Sequence, residues 1–201
     1  MVTMTSVTET GSTVLLSTAQ AEALDIHGNP FPVRLLLDSA SQSNFITEGC
    51  VQRGGYVRSK NQTIVLAIND TKAVAARGNT SLVIRPRGQK GTRIIVEATI
   101  LPRISSLLPS KQLERRRWKH LEGLPLADPQ YHQPGPVDIL VGAAAFTSLL
   151  RDGRRVGKRG EPDSFNTVFG WVLLGSVSAD ASQPVRSFLT LDSIDATVSR
   201  F

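Results

Sequence analysis

The apolar residues of this chain come in short bursts, and that pattern restricts it to a fold built from strands. Val, Ile, Leu and Thr recur in runs of roughly four to eight residues, a length that reads as a buried strand rather than a helix. Sixteen glycines and eleven prolines cut the runs apart. Aliphatic and β-branched runs bounded by turn formers predict a mainly β domain. With 40% hydrophobic residues in a length of 201, there is material for one core and one domain, with a tail or an insertion to spare.

Residues 13–24 (TVLLSTAQAEAL) read as a first strand and residues 31–37 (FPVRLLL) as a second, joined into a hairpin through the turn formers Gly28, Asn29 and Pro30. Residues 48–57 suggest a short helical turn broken by Gly54 and Gly55. Residues 63–68 and 72–76 flank the polar tip Asn69, Asp70 and Thr71, the pattern of a second hairpin. Two more strands, 80–84 and 93–101, face each other across a Gly-rich turn at 86–91. From 105 to 136 the pattern changes. Ser110 suits the N-cap of a helix running to about Leu121, with Leu113, Trp118 and Leu121 near one face, before Gly123 and a Pro-rich connection. Residues 137–141 form an apolar strand interrupted only by Asp138, and Gly142 opens a short helix over 143–150. A basic Gly-rich loop then leads to a last strand at 167–174. The expected organisation is a polar tail at 1–12, a domain at 13–176 with its insertion at 105–136, and a linker at 177–201.

The chemistry concentrates in LLLDSASQSNFI, where Asp38 follows directly on an apolar strand. Burial raises the pKa of a carboxyl group, and a lone buried carboxylate is costly. Two such loops set face to face resolve the problem, because the paired carboxylates share one proton. One then activates a water as base while the protonated other polarises a scissile carbonyl. Ser39 follows as a hydroxyl able to bond across the pair. Asp-Ser alone is a weak signal, since an Asp often just begins a turn and the dipeptide recurs at Asp163-Ser164 and Asp192-Ser193. Order strengthens it: strand, Asp-Ser loop, hairpin, then a second apolar strand ending in Leu140, Val141 and Gly142 before a short helix.

Three segments carry a resemblance to the aspartyl protease of Pao/BEL-type retrotransposon polyproteins: LLLDSASQSNFITE at 35–48, WKHLEGLPLADP at 118–129 leading to VDILVGA, and TVFGWVLLG at 167–175. The resemblance implies a retropepsin-like closed barrel with a flap hairpin and an inserted helical segment. It implies an aspartic endopeptidase that processes its own polyprotein, with Asp38, Ser39 and Ala40 in the catalytic loop. Gln42, Ile68, Asn69, Asp70, Leu140 and Gly142 are then the substrate-contacting candidates. One chain supplies one Asp loop, so the resemblance also implies a homodimer acting on a polypeptide, with no metal or organic cofactor. Residues 167–174 are a candidate for an inner strand near that interface, or an ordinary core strand. The stretch 191–201 is similar to the lead-in to the reverse transcriptase of such polyproteins. The family usually has Gly where this chain has Ala40, and Asp is common where it has Ala144. Those departures support a rival expectation, a non-catalytic dimerising or peptide-binding domain of a degenerate or domesticated retroelement.

Other chemistries find less support. His27, His120 and His132 lack metal-ligand spacing, and no G-x-S-x-G provides a nucleophile elbow. The segment from Gly153 to Lys158 is one residue short of a phosphate loop, and Arg159 stands where Ser or Thr is needed. The net charge of +6 has two denser spots, Arg115–Arg117 and the region 151–159. No aromatic residues interleave with them, so they read as a solvated helix face and a loop, and nucleic acid is not expected as a specific ligand. The single Cys50 excludes an intrachain disulfide. No stretch is long and apolar enough to span a bilayer, and residues 1–13 lack the pattern of a secretory signal. A cytoplasmic location, virus-like particles included, is the expectation.

Overall fold

The expected strands divide between a barrel and a second sheet. In the computed structural model, residues 12–59, 64–66 and 73–178 are described. The first expected strand is two, β1 (Ser12–Leu15) and β2 (Thr18–Leu24), which part at Leu16 and enter different sheets. The chain continues through β3 (Pro30–Leu37), β4 (Phe45–Thr47), helix α1 (Glu48–Gly54), β5 (Ile64–Leu66), β6 (Ala73–Ala75), β7 (Asn79–Pro86) and β8 (Ile94–Leu101). After the long insertion come β9 (Ile139–Val141), helix α2 (Ala143–Leu149), β10 (Leu150–Arg155), β11 (Asp163–Thr167) and β12 (Gly170–Ser178). The fold is mainly β. Its centre is a closed barrel in the order β2-β3-β9-β4-β8-β7, shut by pairing of β7 with β2.

Local chemistry makes the turns. At the β2–β3 hairpin the Asp25 carboxylate accepts from the N–H groups of His27 and Asn29, at 2.9 and 2.7 Å. Helix α1 is capped by Thr47, whose hydroxyl accepts from the Cys50 N–H, and ends at Gly55 in the left-handed conformation, as the paired glycines suggested.

Alternation fills the barrel. Val33, Leu35 and Leu37 of β3, Leu82 and Ile84 of β7, and Val96, Ala98 and Ile100 of β8 point inward with Ile46, Ile139 and Val141. Leu36 is buried too, on the outer face, against Leu108, Val137 and Leu140. The triple leucine is therefore apolar on both sides because the insertion covers the outside of the barrel.

That insertion is the largest departure from expectation. No helix spans 110–121; only a 3₁₀ turn forms, at Lys119–Leu121. Leu113 and Trp118 lie five positions apart, about 140° around a helix, so the three apolar residues would make only a broad face. An irregular course sends all three to one cluster with Leu15, Tyr131, Leu173 and Val177. Long-range partners take up the backbone groups a helix would have used: Leu113 N–H donates to the His132 carbonyl, and the Tyr131 hydroxyl to the Arg116 carbonyl.

The second sheet runs β1-β12-β11-β10. Its last members also differ from expectation. The anticipated strand at 167–174 contains a two-residue turn at Val168 and Phe169, between Thr167 and Gly170, and β12 continues to Ser178. The expected basic loop begins as strand β10, exposed along its whole length. An edge strand open on both faces carries no apolar alternation, so nothing marks it in the sequence. Among the described residues, no helix is long and apolar enough to cross a membrane.

Asp128 pins the insertion to the barrel. Buried almost completely, its carboxylate accepts from Thr18 Oγ1 at 2.7 Å, Gln20 Nε2 at 3.2 Å, Arg34 Nε at 2.9 Å and the Gln130 N–H at 3.0 Å. Arg34 Nη2 lies a further 2.7 Å away, close enough for charge attraction but not aligned as a hydrogen bond. Removing one partner of such a pair strands the other's charge. Asp128→Ala should lower unfolding free energy by about 3 kcal/mol in urea denaturation, against about 1 kcal/mol for Thr18→Val, which deletes one donor. Equal losses from the two would show that the ion pair is not the pin.

Candidate active site

Asp38 sits where β3 runs out of barrel to pair with. Its N–H donates to the Val141 carbonyl at 3.0 Å, extending the parallel β3–β9 ladder by one step. The chain then turns sharply: Ser41 N–H reaches back to the Asp38 carbonyl at 3.3 Å, and Ala40 N–H donates to Asp38 Oδ1 at 2.9 Å. Asp38 is half-buried, while Ser39 and Ala40 are exposed. Among the described residues no hydrogen bond reaches Asp38 Oδ2 or the Ser39 hydroxyl. One carboxylate oxygen is thus oriented by the backbone, while the other has no such tie among the described residues.

The loop is held from behind by the junction of β9 and α2. Ala143 N–H donates to the Ser41 carbonyl at 2.7 Å. A Cβ on Gly142 would lie 2.4 Å from the Ser43 carbonyl oxygen and 2.6 Å from that of Ser41, so only glycine lets the loop come this close. Gly142 N–H in turn donates to Asn44 Oδ1 at 2.8 Å, and Asn44 Nδ2 donates to the Glu97 carbonyl at 2.9 Å. Asn44 therefore ties the end of the Asp38 loop to β9 on one side and β8 on the other. Sequence reading missed it; one Asn after a run of Ser and Gln looks like any polar loop residue.

The remaining candidates fall in several places. Gln42 is exposed on the same loop. Leu140 is 8% exposed and packs with Leu36, Leu108 and Val137. The β5–β6 pair forms a hairpin, Ile64 opposite Ala75 and Leu66 opposite Ala73, but Ile68, Asn69 and Asp70 at its tip lie outside the described residues. In β12, Trp171, Val172 and Leu173 are buried in the chain's own core, and the strand is interior to its sheet, the behaviour of a core strand. Among the described residues no three His, Cys, Asp or Glu side chains gather as a metal site.

Charges frame the loop without entering it. Asp138, the residue just before β9, accepts from the Arg34 N–H at 2.8 Å and from Arg53 Nη2 at 2.6 Å. Partial burial pushes the Glu48 carboxyl up, but hydrogen bonds from Arg58 and Gln52 and the charges of Arg58 and Arg77 outweigh it and hold the group below the usual carboxylate range. Burial pushes the Cys50 thiol up to about 11, so it is neither ionised nor accessible at neutral pH.

No protein-family model matches the chain, and no curated protein matches it. Among solved structures, the retroviral protease-like domain of Ddi1 from Leishmania major aligns with 79% of this chain and 95% of its own, at 9% identity and a TM-score of 0.35. A retropepsin-like aspartic protease from Rickettsia conorii aligns with 89% of this chain and 99% of its own, at 11% identity and a TM-score of 0.34.

Asn44→Ala leaves the buried Gly142 N–H without its acceptor and should cost about 1–3 kcal/mol of stability, read from a urea midpoint. A cost indistinguishable from zero would mean that Asn44 does not seat the loop. For Cys50, a thiol reagent at neutral pH should label native protein only at the rate of unfolding, and label denatured protein at once. Rapid stoichiometric labelling of the folded chain would contradict the buried, protonated thiol.

Proposed function

We propose that the chain is an aspartic endopeptidase in which Asp38 and Asp38 of a partner subunit form one catalytic pair. The observation that carries this reading is the seating of Asp38. It stands at the end of a barrel strand with one oxygen fixed by the Ala40 N–H, the other open, and its loop locked against Gly142. A single such loop is half of an acid–base pair. Two brought together about a two-fold axis would share a proton, because like charges at contact distance do not both ionise.

In that pair the ionised carboxylate takes a proton from a bound water as the water oxygen attacks the scissile carbonyl carbon. The protonated carboxyl donates its hydrogen to the carbonyl oxygen, giving a neutral gem-diol. The diol returns a proton through the pair, the C–N bond breaks, and the leaving nitrogen takes up a proton, so the pair ends with the one proton it began with. Gln42, together with Ile68, Asn69 and Asp70 of the hairpin tip, would contact an extended polypeptide bound in the manner of an added strand. Gly142 would shape the floor beneath it, while Leu140, packed against Leu36, Leu108 and Val137, would lie behind that floor. The substrate suggested by the sequence resemblance is the polyprotein of a retrotransposon of Pao/BEL type.

Ala40 is compatible with this chemistry in one respect: the group it contributes to Asp38 is its backbone N–H, which alanine has as well as glycine. Ala144 supports a second reading. It is exposed on α2 and adds no polar contact beside the loop, as suits a domain that keeps the fold to dimerise or hold a peptide without cutting it.

The deciding assay is cleavage of a polyprotein fragment spanning the domain's own boundaries at mildly acidic pH, with wild type, Asp38→Asn and Ala40→Gly. Cleavage by wild type that is blocked by a pepstatin-type inhibitor and lost by at least about a thousandfold in Asp38→Asn is expected. Cleavage by Ala40→Gly alone would mark the natural chain as weakened. Silence from all variants, in protein shown to be folded and dimeric, would leave the peptide-holding reading.

A further inference from the structure

The first basic spot of the sequence meets the last residue of the second in one place. Arg115, Arg116 and Arg117 of the insertion and Arg159 of the β10–β11 loop line a single open cavity of about 580 Å³. Its remaining wall is Glu114, Trp118, Gly160, Glu161 and Ser178, so the three guanidiniums of the insertion alone outnumber the two carboxylates. The insertion is not helical here, which is how three consecutive arginines come to line the same cavity. No residue of the Asp38 loop contributes to it.

The walls are set in advance. Ser178 N–H donates to the Gly160 carbonyl at 3.1 Å, fastening the β10–β11 loop to the end of β12. Within that loop Lys158 N–H donates to Glu161 Oε2 at 3.0 Å, and Glu161 N–H to the Lys158 carbonyl at 2.9 Å. Glu161 also lies 3.3 Å from His120 Nδ1, and Glu114 lies 3.8 Å from Arg116, so both carboxylates are partly occupied. Arg115 and Arg117 are exposed.

We propose that this cavity binds the phosphate backbone of single-stranded nucleic acid without regard to sequence. A peptide bound specifically needs pockets for its side chains. The one aromatic wall of this cavity, Trp118, is buried and packs on Tyr131 at 5.6 Å, so no aromatic slot is open to a side chain. For the same reason no ring is presented for base stacking, which removes the usual source of base preference on single strands. What remains is an open slot with excess positive charge on a chain of net charge +6, and a polymer with one phosphate per residue answers to that. The arginines are thus more than a solvated face, while the expectation that nucleic acid is not a specific ligand is kept.

The test is fluorescence anisotropy of labelled 20-residue oligo(U) and oligo(A) RNA with the full chain over a range of salt. Two to three phosphate contacts from Arg115–Arg117 predict a slope of log affinity against log salt of about −1.4 to −2, similar for the two oligomers. Arg115→Gln/Arg117→Gln should weaken binding on the order of tenfold and flatten the slope by about 1.4. Arg115→Lys/Arg117→Lys should restore the slope. The control Lys90→Gln/Arg93→Gln, which removes the same charge from the exposed β7–β8 turn, should stay within about twofold of wild type. Thermal melts confirm that the variants fold. Equal losses in the two Gln pairs would reduce the effect to diffuse charge and overturn the site. So would absence of binding, or a polyglutamate peptide of equal charge displacing the RNA more strongly than RNA itself, which would assign the cavity to acidic polypeptide.

Discussion

The arrangement around Asp38 depends on β9 being held between β3 and β4, and Arg34 is the residue that holds it. Strands β3 and β4 follow each other in sequence, yet they are not neighbours. Strand β9 lies between them, parallel to β3 and antiparallel to β4. Both backbone groups of Arg34, on β3, bond Asp138: its carbonyl accepts from the Asp138 N–H at 2.9 Å and its N–H donates to the Asp138 carboxylate. Its side chain spreads over the insertion, donating to Asp128, to the Leu108 carbonyl at 2.5 Å and to the Gly135 carbonyl at 3.2 Å. One guanidinium therefore gathers three distant points of an irregular segment and delivers β9 to its slot. A non-local pairing of this kind carries a loop-closure cost, and a buried, multiply satisfied ion pair is a way to fix its register.

The parts legible in the sequence are those whose constraint is local. Asp38 stands out because a carboxylate ends an apolar strand, and Gly142 because a glycine follows one. The structure supplies the reason for the second: two carbonyl oxygens occupy the space a Cβ needs. The β2–β3 and β7–β8 hairpins were legible through their turn residues, and α1 through its glycine stop. Less was visible where the partner lies far along the chain. Asp128 binds residues 94 to 110 positions away, and nothing in LADPQ announces that. The insertion has helix-forming residues, but the apolar ones are placed for a cluster assembled from β1 and β12, and tertiary burial outweighs the small preferences of helix propensity. Strand β10 was invisible for the opposite reason, having no burial at all to leave a pattern.

The two halves of the molecule consequently differ in how tightly they are specified. The barrel interior is aliphatic and fully enclosed, with Leu35, Ile46, Ile84, Ile100 and Ile139 all near zero exposure. Such a core resists small displacements, because close packing leaves little free volume. It gives the Asp38 loop a stiff base, and Asn44 and Gly142 transmit that stiffness to the turn itself. The second sheet is built differently. Its cluster is partly covered by the insertion, and its rim carries arginines over aromatic rings, Arg154 on Phe165 and Arg155 on Trp171, each at 5.5 Å.

That difference bears on how two copies of the chain can meet. In this fold β12 has β1 on one side and β11 on the other, so its backbone groups are already paired within the chain. The edges left by the sheet are β1 and β10. Strand β10 carries Arg151, Asp152, Arg154 and Arg155, and charged edges of this kind oppose strand addition. Strand β1 is short, with Val14 half exposed and Leu15 buried, and bears no charged side chain. Among the described residues, strand addition between copies is therefore less opposed by charge at β1 than at β10. The barrel face that carries the loop presents Ser39, Ala40, Gln42 and Ser43, small or uncharged groups that two copies can bring close without burying an unpaired charge other than the carboxylates themselves.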